Sequence, residues 1–135
     1  SIGVAQLNII DKLLKIRKKV FKIYNSYFCN YSYLTLIPNN NWSENSYWLY
    51  TLIINNIGQK KRDKLISNLQ KLGIECRPGF YSLNKMRPFK RYAKGKFNNS
   101  NYLSENSLSF PTTNLTKKDQ EYIIKKFLDE YEKIK

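Results

Sequence analysis

The sequence predicts an α+β fold, in which helices pack on a small antiparallel or mixed sheet. Three observations support this prediction. The chain has 135 residues, about the length of one domain. Apolar residues make up 41% of the chain and aromatic residues 15%, which is enough for a core and unlike the composition of a disordered chain. Segments with helical periodicity alternate with short segments rich in aromatic and β-branched residues.

A long helix is predicted first, over residues 3–27. Arg17 alone interrupts its apolar stripe, which recurs at steps of three and four and consists of Val4, Leu7, Ile10, Leu14, Phe21, Tyr24 and Phe28. Such a helix is ~37 Å long, about the width of a domain of this size. One end should therefore project from the domain or pack on another structure.

Two strands are predicted next. Residues 31–37 form the first, which Pro38 ends, and the asparagines at 39–41 form a turn. Residues 46–54 are dense in aromatic and β-branched side chains, which predicts a buried strand. The position of Trp48 in the middle of this strand favours the core over a binding site.

A second helix is predicted over residues 59–72, with a buried stripe made of Leu65, Ile66, Leu69 and Leu72. Gly73 marks its end, because glycine readily takes the left-handed conformation that closes many helices. A short strand over 74–76 follows. The next segment, 77–84, combines proline and glycine with three large apolar side chains, which predicts an irregular segment that packs against something.

Two further helices complete the chain. The first is short and covers residues 99–108, and the second covers 117–134. Thr116 and Asp119 match a capping box at the start of the last helix, whose apolar stripe is Tyr122, Ile123, Phe127, Leu128 and Tyr131. No repeat or low-complexity linker separates these elements, so the sequence predicts a single domain.

The composition excludes several classes of protein. The chain has no histidine, which rules out Ser-His-Asp and Cys-His catalysis and histidine-ligated zinc. Its two cysteines, Cys29 and Cys76, cannot form a four-thiolate metal site, and they are predicted to be free thiols in a reducing, cytoplasmic environment. No apolar stretch is long enough to predict a membrane span. Without a paired-carboxylate motif or a glycine-rich phosphate loop, the sequence predicts no catalytic residue, no bound metal and no self-sufficient enzyme.

The chain is strongly basic, with 24 Lys and Arg against 10 Asp and Glu and a net charge of +14. Basic residues cluster at 12–22 and at 85–96. A solvated face and an anion-binding site are both open readings of these clusters. Most of the basic residues are lysines, whereas nucleic-acid recognition relies more on arginine forks. The charge is therefore weak support for a nucleic-acid partner.

Five segments carry a resemblance to a known family. The most extensive is KLGIECRPGFYSLNKMRPF at 71–89, and the others are IGVAQL at 2–7, Arg17 with Tyr24, SYWLY at 46–50, and LSFP at 108–111 with LTKKD at 115–119. Together they resemble the C-terminal small domain of the DegT-type, perosamine-synthetase-like sugar aminotransferases, which depend on pyridoxal 5'-phosphate (PLP). The resemblance covers essentially the whole chain.

This resemblance implies the small domain of a fold-type-I aminotransferase, with an interdomain helix over residues 1–28 and an α+β sandwich over 31–135. It places the PLP-binding domain and its Schiff-base lysine before Ser1. The fragment alone is therefore expected to be inert and to bind no cofactor. In the full-length enzyme the resemblance implies PLP-dependent amination of a keto-deoxy sugar nucleotide by a cytoplasmic homodimer, in polysaccharide or O-antigen biosynthesis.

The resemblance also implies a substrate-binding segment at 77–84, with Arg77, Phe80, Tyr81 and Asn84 near the nucleotide sugar. Phe80 and Tyr81 would pack on the sugar or cofactor side, and Arg77 would bind an anionic group or brace the segment. Two alternatives stay open: Arg77 pairs with a carboxylate, and the two aromatic rings belong to the core. Asn84 departs from the family pattern, because many relatives have histidine there and asparagine cannot titrate near neutral pH.

Two other functions remain as alternatives. One is a basic nucleic-acid-binding module, which the charge suggests but which the lack of an aromatic RNA-binding signature and of a recognition helix disfavours. The other is a free-standing, non-catalytic interaction domain. The coding sequence before Ser1 distinguishes that domain from part of an aminotransferase.

Overall fold

A four-stranded antiparallel sheet with helices packed against it forms the structure, a computed structural model that describes residues 2–135. The helices are α1 (Ile2–Leu7), α2 (Ile10–Phe28), α3 (Gly58–Lys71), α4 (Asn98–Asn106) and α5 (Lys117–Glu132). The strands are β1 (Leu34–Thr35), β2 (Tyr50–Ile54), β3 (Arg77–Pro78) and β4 (Ser107–Phe110). Two short 3-10 turns, Leu83–Lys85 and Lys90–Tyr92, lie between β3 and α4. The predicted α+β class is confirmed, and the sheet is antiparallel throughout.

The sheet has two chemically different faces. Its strand order is β1-β2-β4-β3, and the central pair aligns Tyr50 with Phe110 and Leu52 with Leu108. Because successive strand residues point to opposite faces, one face packs against the helices and carries Tyr50, Leu52, Ile54, Leu108 and Phe110. The other face, here called the outer face, carries Thr51, Ile53, Ser107 and Ser109.

An aromatic cluster fills the core between the sheet and the helices. The Phe28 ring lies 5.5 Å from that of Phe110 and 5.4 Å from that of Phe127, and the Tyr24 and Tyr50 rings are 4.7 Å apart. The hydroxyl of Tyr24 donates to a main-chain carbonyl at 3.1 Å, and that of Tyr50 donates to a side-chain amide oxygen at 2.7 Å. Burial of these rings is thus combined with satisfied polar atoms.

The predicted long helix is wrong in one respect, because it is divided into α1 and α2. At Ile9 the backbone leaves the helical region (φ −120°, ψ 9°), and its N–H donates three residues back, to Gln6. Asn8 is a poor helix former, and Asp11 favours the start of a new helix, so the break has local causes. The apolar residues of α1 are exposed, so this end projects as expected. Ser1, the first residue of the predicted interdomain helix, lies outside the described residues.

The strands differ most from the prediction. β1 covers only Leu34–Thr35 of the predicted 31–37, and β2 begins at Tyr50 because Tyr47 takes a φ of 54°, which interrupts extended backbone. The third strand lies at Arg77–Pro78 instead of 74–76. Proline is tolerated there because β3 is an edge strand.

The central strand β4 is absent from the sequence prediction. The predicted helix over 99–108 ends at Asn106, and the next four residues form β4. The alternation Ser-Leu-Ser-Phe is the period-two pattern of a strand, but four residues carry too little of it to be recognised alone. Pairing with β2 and β3 on either side stabilises this short strand.

Local signals at helix ends are confirmed. The hydroxyl of Thr116 accepts from the amide of Asp119 at 3.2 Å, and the amide of Thr116 donates to the Asp119 carboxylate at 2.8 Å, which is a complete capping box. These hydrogen bonds with Thr116 lower the pKa of Asp119. Gly73 ends α3 with a φ of 79°.

Both cysteines are free thiols, with Cys29 exposed and Cys76 buried. Burial raises the pKa of the Cys76 thiol to about 12. No helix in the part of the chain that the structure describes is long and apolar enough to cross a membrane. Between residues 2 and 135 no three His, Cys, Asp or Glu side chains come together as a potential metal site.

Candidate functional site

The segment after β3 borders the outer face of the sheet. The N–H of Gly79 donates to the carbonyl of Ser107 at 3.0 Å, and a Cβ at this position would lie 1.9 Å from Ser107 Oγ. Only glycine allows so close an approach. The chain then leaves the sheet, and Phe80 and Tyr81 are 75% and 57% exposed. The alternative that these two rings belong to the core is therefore wrong, because the helices cover the opposite face.

Two open grooves flank these rings. The first, here called the arginine groove, has a volume of about 880 Å³, and its lining includes Arg17, Trp48, Glu75, Arg77, Phe80 and Tyr81. The second, the sheet-face groove, has a volume of about 690 Å³ and lies against the outer face, with a lining that includes Thr51, Ile53, Phe80, Tyr81, Asn84 and Phe97. Phe80 and Tyr81 line both grooves, so a ligand with two chemically different ends could occupy both.

The prediction that Trp48 lies in the core is wrong. Its side chain is 61% exposed and lines the arginine groove, with its ring 6.2 Å from that of Phe80. The left-handed turn at Tyr47 is the cause, because it directs the Tyr47 ring inward against Phe21 at 5.1 Å and ends the alternation that a continuous strand would have. The result is a pair of exposed aromatic rings from distant parts of the sequence.

Arg17, the single break in the apolar stripe of α2, anchors this turn. Its Nη1 donates to the carbonyl of Trp48 at 2.8 Å and to that of Tyr47 at 3.3 Å. The hydroxyl of Thr112 also donates to the Trp48 carbonyl, at 3.0 Å. Within residues 2–135 Arg17 has no carboxylate partner. The groove therefore contains an arginine whose charge is not neutralised by a neighbour.

Arg77 pairs with the carboxylate of Glu75, which is one of the alternatives left open for this residue by the sequence. The side chains are 74% and 70% exposed, and exposed ion pairs contribute little to stability. An anionic ligand in the arginine groove can thus replace Glu75 at small cost.

Asn84 is held by a network of polar side chains. Its Oδ1 accepts from the hydroxyl of Ser82, and its Nδ2 donates to Asn101 Oδ1 at 3.1 Å. The amide of Ser82 in turn donates to Ser104 Oγ at 3.1 Å, so the segment is fastened to α4. A carboxamide has two N–H groups and two acceptor sites, which leaves one of each free at Asn84.

The buried Arg62 of α3 fixes the end of α4 and the start of β4 through hydrogen bonds. It is 1% exposed, and its Nη1 donates to the carbonyls of Ser104 and Ser107 at 2.9 Å each. The Ser107 carbonyl is also the acceptor for Gly79, so α3, β4 and the segment before Phe80 meet at one oxygen atom. A further link joins α4 to α3, because Asn106 Oδ1 accepts a hydrogen bond from the amide of Gly58, at the start of α3, at 2.8 Å.

The second basic cluster, here called the basic segment (residues 85–96), lies next to the arginine groove, which Met86 also lines. Lys85 pairs with Glu105, and Arg91 lies over the Tyr92 ring at 4.8 Å. Its other cations are exposed and have no carboxylate partner in the described part of the chain. Their field is expected to attract anions toward the groove.

The structure thus brings Arg77, Phe80 and Tyr81 together in the arginine groove and Phe80, Tyr81 and Asn84 together in the sheet-face groove. Arg77 and Asn84 do not share a groove. Sequence reasoning misses Trp48 as a surface residue. The signal that could have found it is Arg17, since an arginine in an apolar stripe implies a hydrogen-bond acceptor nearby.

The sequence profile of the DegT/DnrJ/EryC1/StrS aminotransferase family matches residues 1–128. The chain belongs to this family. It is 31% identical over 113 residues to GDP-perosamine synthase of Vibrio cholerae, an alignment that covers 83% of this chain and 30% of that protein. It is 27% identical over 113 residues to GDP-4-keto-6-deoxy-D-mannose 3-dehydratase of Escherichia coli O55:H7, covering 80% of this chain and 29% of the relative.

Solved structures of family members share the fold. The candidate sugar aminotransferase Spr1654 of Streptococcus pneumoniae, in its PMP form, superposes with a TM-score of 0.89 at 25% identity, covering 98% of this chain and 34% of that one. Helicobacter pylori PseC, an aminotransferase of pseudoaminic acid biosynthesis, gives a TM-score of 0.86 at 18% identity, over 97% of this chain and 36% of that one. The fold is therefore that of the small domain of fold-type-I sugar aminotransferases. The chain spans about a third of the length of these relatives.

The residues described here do not by themselves fit a PLP site, although Spr1654 is known in a PLP form. Such a site needs a lysine for the Schiff base and a charged partner for the pyridine nitrogen. Between residues 2 and 135 every lysine is exposed except the half-buried Lys126, and no lysine lines either groove. The two grooves are lined instead by aromatic, guanidinium and amide groups.

Proposed function

We propose that this chain is the small domain of a nucleotide-sugar aminotransferase, with an interdomain helix over residues 1–28 and an α+β sandwich over 31–135. The observation that carries the proposal is the family match over residues 1–128, in a chain that spans only about a third of its relatives. The PLP-binding domain lies before Ser1, and the full-length protein acts in the cytoplasm as a homodimer. The fragment alone is inert.

The substrate class follows from the relatives and from the chemistry of the grooves. The names of the perosamine synthase and of the 3-dehydratase that the chain resembles refer to GDP-linked sugars, and a nucleotide sugar combines a planar base, a diphosphate and a polar ring. Arg77, Phe80, Tyr81 and Asn84 bind this substrate, with PLP carried by the other domain. A keto-deoxy sugar that enters polysaccharide or O-antigen synthesis is the proposed substrate.

The test begins with the coding sequence upstream of Ser1, which is expected to encode a PLP-binding domain with a Schiff-base lysine. The complete protein is then assayed for amine transfer from glutamate to GDP- and UDP-linked 4-keto-6-deoxy sugars. A reading frame without such a domain would overturn the aminotransferase proposal and leave the interaction-domain alternative. Loss of a sugar hydroxyl without amine transfer would instead indicate a dehydratase.

Asn84→Ala in the full-length enzyme is expected to raise KM for the nucleotide sugar with a smaller effect on kcat. The lost contact is one hydrogen bond, worth about 0.5–1.5 kcal/mol, so the rise should be about 2- to 12-fold. Steady-state kinetics with the sugar nucleotide as the varied substrate measure it. Unchanged kinetics would refute a binding role for Asn84.

Asn101→Ala is the matched control, because it removes the hydrogen bond that holds Asn84 and leaves the Asn84 amide in place. A contact with substrate predicts a larger KM effect from the Asn84 variant than from the Asn101 variant. Equal effects from the two variants would show that the network positions the segment and that Asn84 itself does not touch the substrate.

The 135-residue chain on its own is expected to self-associate. Ile2, Val4 and Leu7 of α1 are 80%, 63% and 66% exposed, and a contiguous apolar surface of this kind is typically covered by another structure. Sedimentation velocity over a range of protein concentrations measures this. Replacing Val4 and Leu7 with Ser should shift the chain toward the monomer, whereas a monodisperse wild-type monomer would contradict the expectation.

A further inference from the structure

We propose that the arginine groove binds the nucleoside diphosphate part of the substrate, and that Trp48 stacks on the nucleobase. The proposal rests on the function proposed above and extends it to a residue outside the predicted substrate-binding segment. It also divides the substrate between the two grooves, with the base and diphosphate in the arginine groove and the sugar directed past Phe80 and Tyr81.

The first argument is that Trp48 has an exposed ring on an anchored backbone. Its carbonyl accepts two hydrogen bonds, from Arg17 at 2.8 Å and from Thr112 at 3.0 Å, so α2 and the segment after β4 both fix its backbone. Its ring is nevertheless 61% exposed. A large aromatic side chain on an anchored backbone is preorganised for a ligand, because little conformational entropy is lost on binding.

The second argument is the chemistry of the surrounding side chains. Trp48 and Phe80 form an aromatic corner, with ring centroids 6.2 Å apart and planes inclined at 39°. Planar bases bind to such rings by stacking. Arg17 and Arg77 line the same groove, and Glu75 is its only acidic lining residue. Aromatic rings beside a net positive charge suit a base joined to a diphosphate.

The third argument is the position of the basic segment. It begins two residues after Leu83, which lines both grooves, and it carries Arg87, Lys90, Arg91, Lys94 and Lys96. The positive field of these side chains is expected to attract anions toward the arginine groove. By contrast, the lining of the sheet-face groove contains no charged residue, which suits an uncharged sugar better than a diphosphate.

The second tryptophan provides the matched control. Trp42 is 84% exposed and lines neither groove. Trp42→Ala and Trp48→Ala therefore remove the same side chain from two exposed positions, only one of which faces the arginine groove. Both variants are expected to remain folded, because neither ring contributes to the core.

The experiment measures binding of GDP, UDP and inorganic pyrophosphate by isothermal titration calorimetry in the full-length protein, or in the 135-residue chain if that is the whole gene product. Trp48→Ala is expected to raise the Kd of the preferred nucleotide roughly 5- to 150-fold, the range found for loss of one base-stacking side chain. It should leave pyrophosphate binding unchanged. Arg77→Gln should weaken binding of nucleotide and pyrophosphate alike, and Trp42→Ala should affect neither.

The proposal is overturned if the wild-type protein binds no nucleotide, or if folded Trp48→Ala binds nucleotide as tightly as the wild type. A loss of pyrophosphate binding in Trp48→Ala equal to the loss of nucleotide binding would also overturn it. If the alanine variant does not fold, Trp48→Phe should retain nucleotide binding and Trp48→Leu should lose it, and equal affinities would contradict stacking.

Because binding is measured without turnover, an active aminotransferase with Trp48-independent binding refutes this inference alone. Trp48-dependent binding without amine transfer refutes the proposed function alone.

Discussion

Replacing Arg62 with alanine is expected to lower the free energy of unfolding by about 3–5 kcal/mol. The guanidinium is 1% exposed, and its loss leaves the carbonyls of Ser104 and Ser107 without their arginine donor. The Ser107 carbonyl keeps the amide of Gly79, but loss of the donor to the Ser104 carbonyl costs about 1–3 kcal/mol, and the cavity left by the buried side chain adds to the loss. Urea unfolding followed by circular dichroism measures the effect.

Lys61→Ala is the matched control for Arg62, because its side chain is exposed at the neighbouring position of the same helix. Its effect should stay within about 0.5 kcal/mol, as is typical of surface substitutions. Arg62→Lys keeps the charge but cannot donate to the two carbonyls and to Asp63 at once, as Nη1 and Nε of the arginine do, so an intermediate loss is expected. A loss below about 1 kcal/mol for Arg62→Ala would contradict the view that this arginine fixes the junction of α4 and β4.

The effect of Arg62 should extend to the site. Its acceptor, the Ser107 carbonyl, is also bonded to the amide of Gly79, directly before Phe80. A variant that folds at low temperature should therefore bind nucleotide less well, since the segment that presents Phe80 loses its support. Phe127→Ala acts in the core, on the face of the sheet opposite the outer face. It should destabilise the domain without this additional loss of binding.

The domain is expected to unfold in alkali, with stability that falls steeply above about pH 10. Burial is the largest cause of the raised pKa of Tyr24, of Tyr50 and of Cys76, the last to about 12. When the pH lies between the pKa of such a group in the unfolded chain and its higher pKa in the folded domain, the folded state keeps a proton that the unfolded state has released. Stability is therefore fully present below the unfolded pKa values and decreases as the pH rises above them.

The size of this effect is large for a single domain. Each group contributes at most about 1.4 kcal/mol per pH unit, so the three together give a slope of about 4 kcal/mol per pH unit. Domains are typically stable by about 5–15 kcal/mol, so a few pH units are enough for unfolding. Burial and the neighbouring Tyr131 also raise the pKa of Tyr33, to about 12, which acts in the same direction.

Unfolding free energies between pH 7 and 11, together with tyrosinate absorbance, measure this dependence. Tyr50→Phe removes one of the three groups and should reduce the alkaline slope by about a third, although it also removes the hydrogen bond to Asn25. A flat stability profile through pH 11, with the tyrosinate signal complete near the ordinary pKa of tyrosine, would contradict the burial of these hydroxyls.

The parts of the fold that were predictable from sequence are those that local interactions determine. The bounds of α3 and α5, the cap formed by Thr116 and Asp119 and the left-handed Gly73 depend on residues a few positions apart. The break between α1 and α2 is also local, but the strong apolar stripe across residues 4–28 conceals it. Asn8 and Asp11 favour the break, but they are weak signals beside that stripe.

The elements that the sequence analysis misses depend on contacts between distant residues. The turn at Tyr47 that leaves Trp48 exposed is anchored by a hydrogen bond from Arg17, 31 positions before Trp48. Gly79 approaches β4 at Ser107, and β4 itself is short enough to need two pairing partners. The identity of the site residues came from the family resemblance, whereas their division between two grooves required the structure.

Amine transfer by the full-length protein tests the central claim most directly. With glutamate and a GDP- or UDP-linked 4-keto-6-deoxy sugar, the full-length protein is predicted to form the amino sugar and an equal amount of 2-oxoglutarate, whereas the 135-residue chain forms neither. A full-length protein that binds PLP but transfers no amine to any of these nucleotide sugars would contradict the account, and so would amine transfer by the 135-residue chain alone.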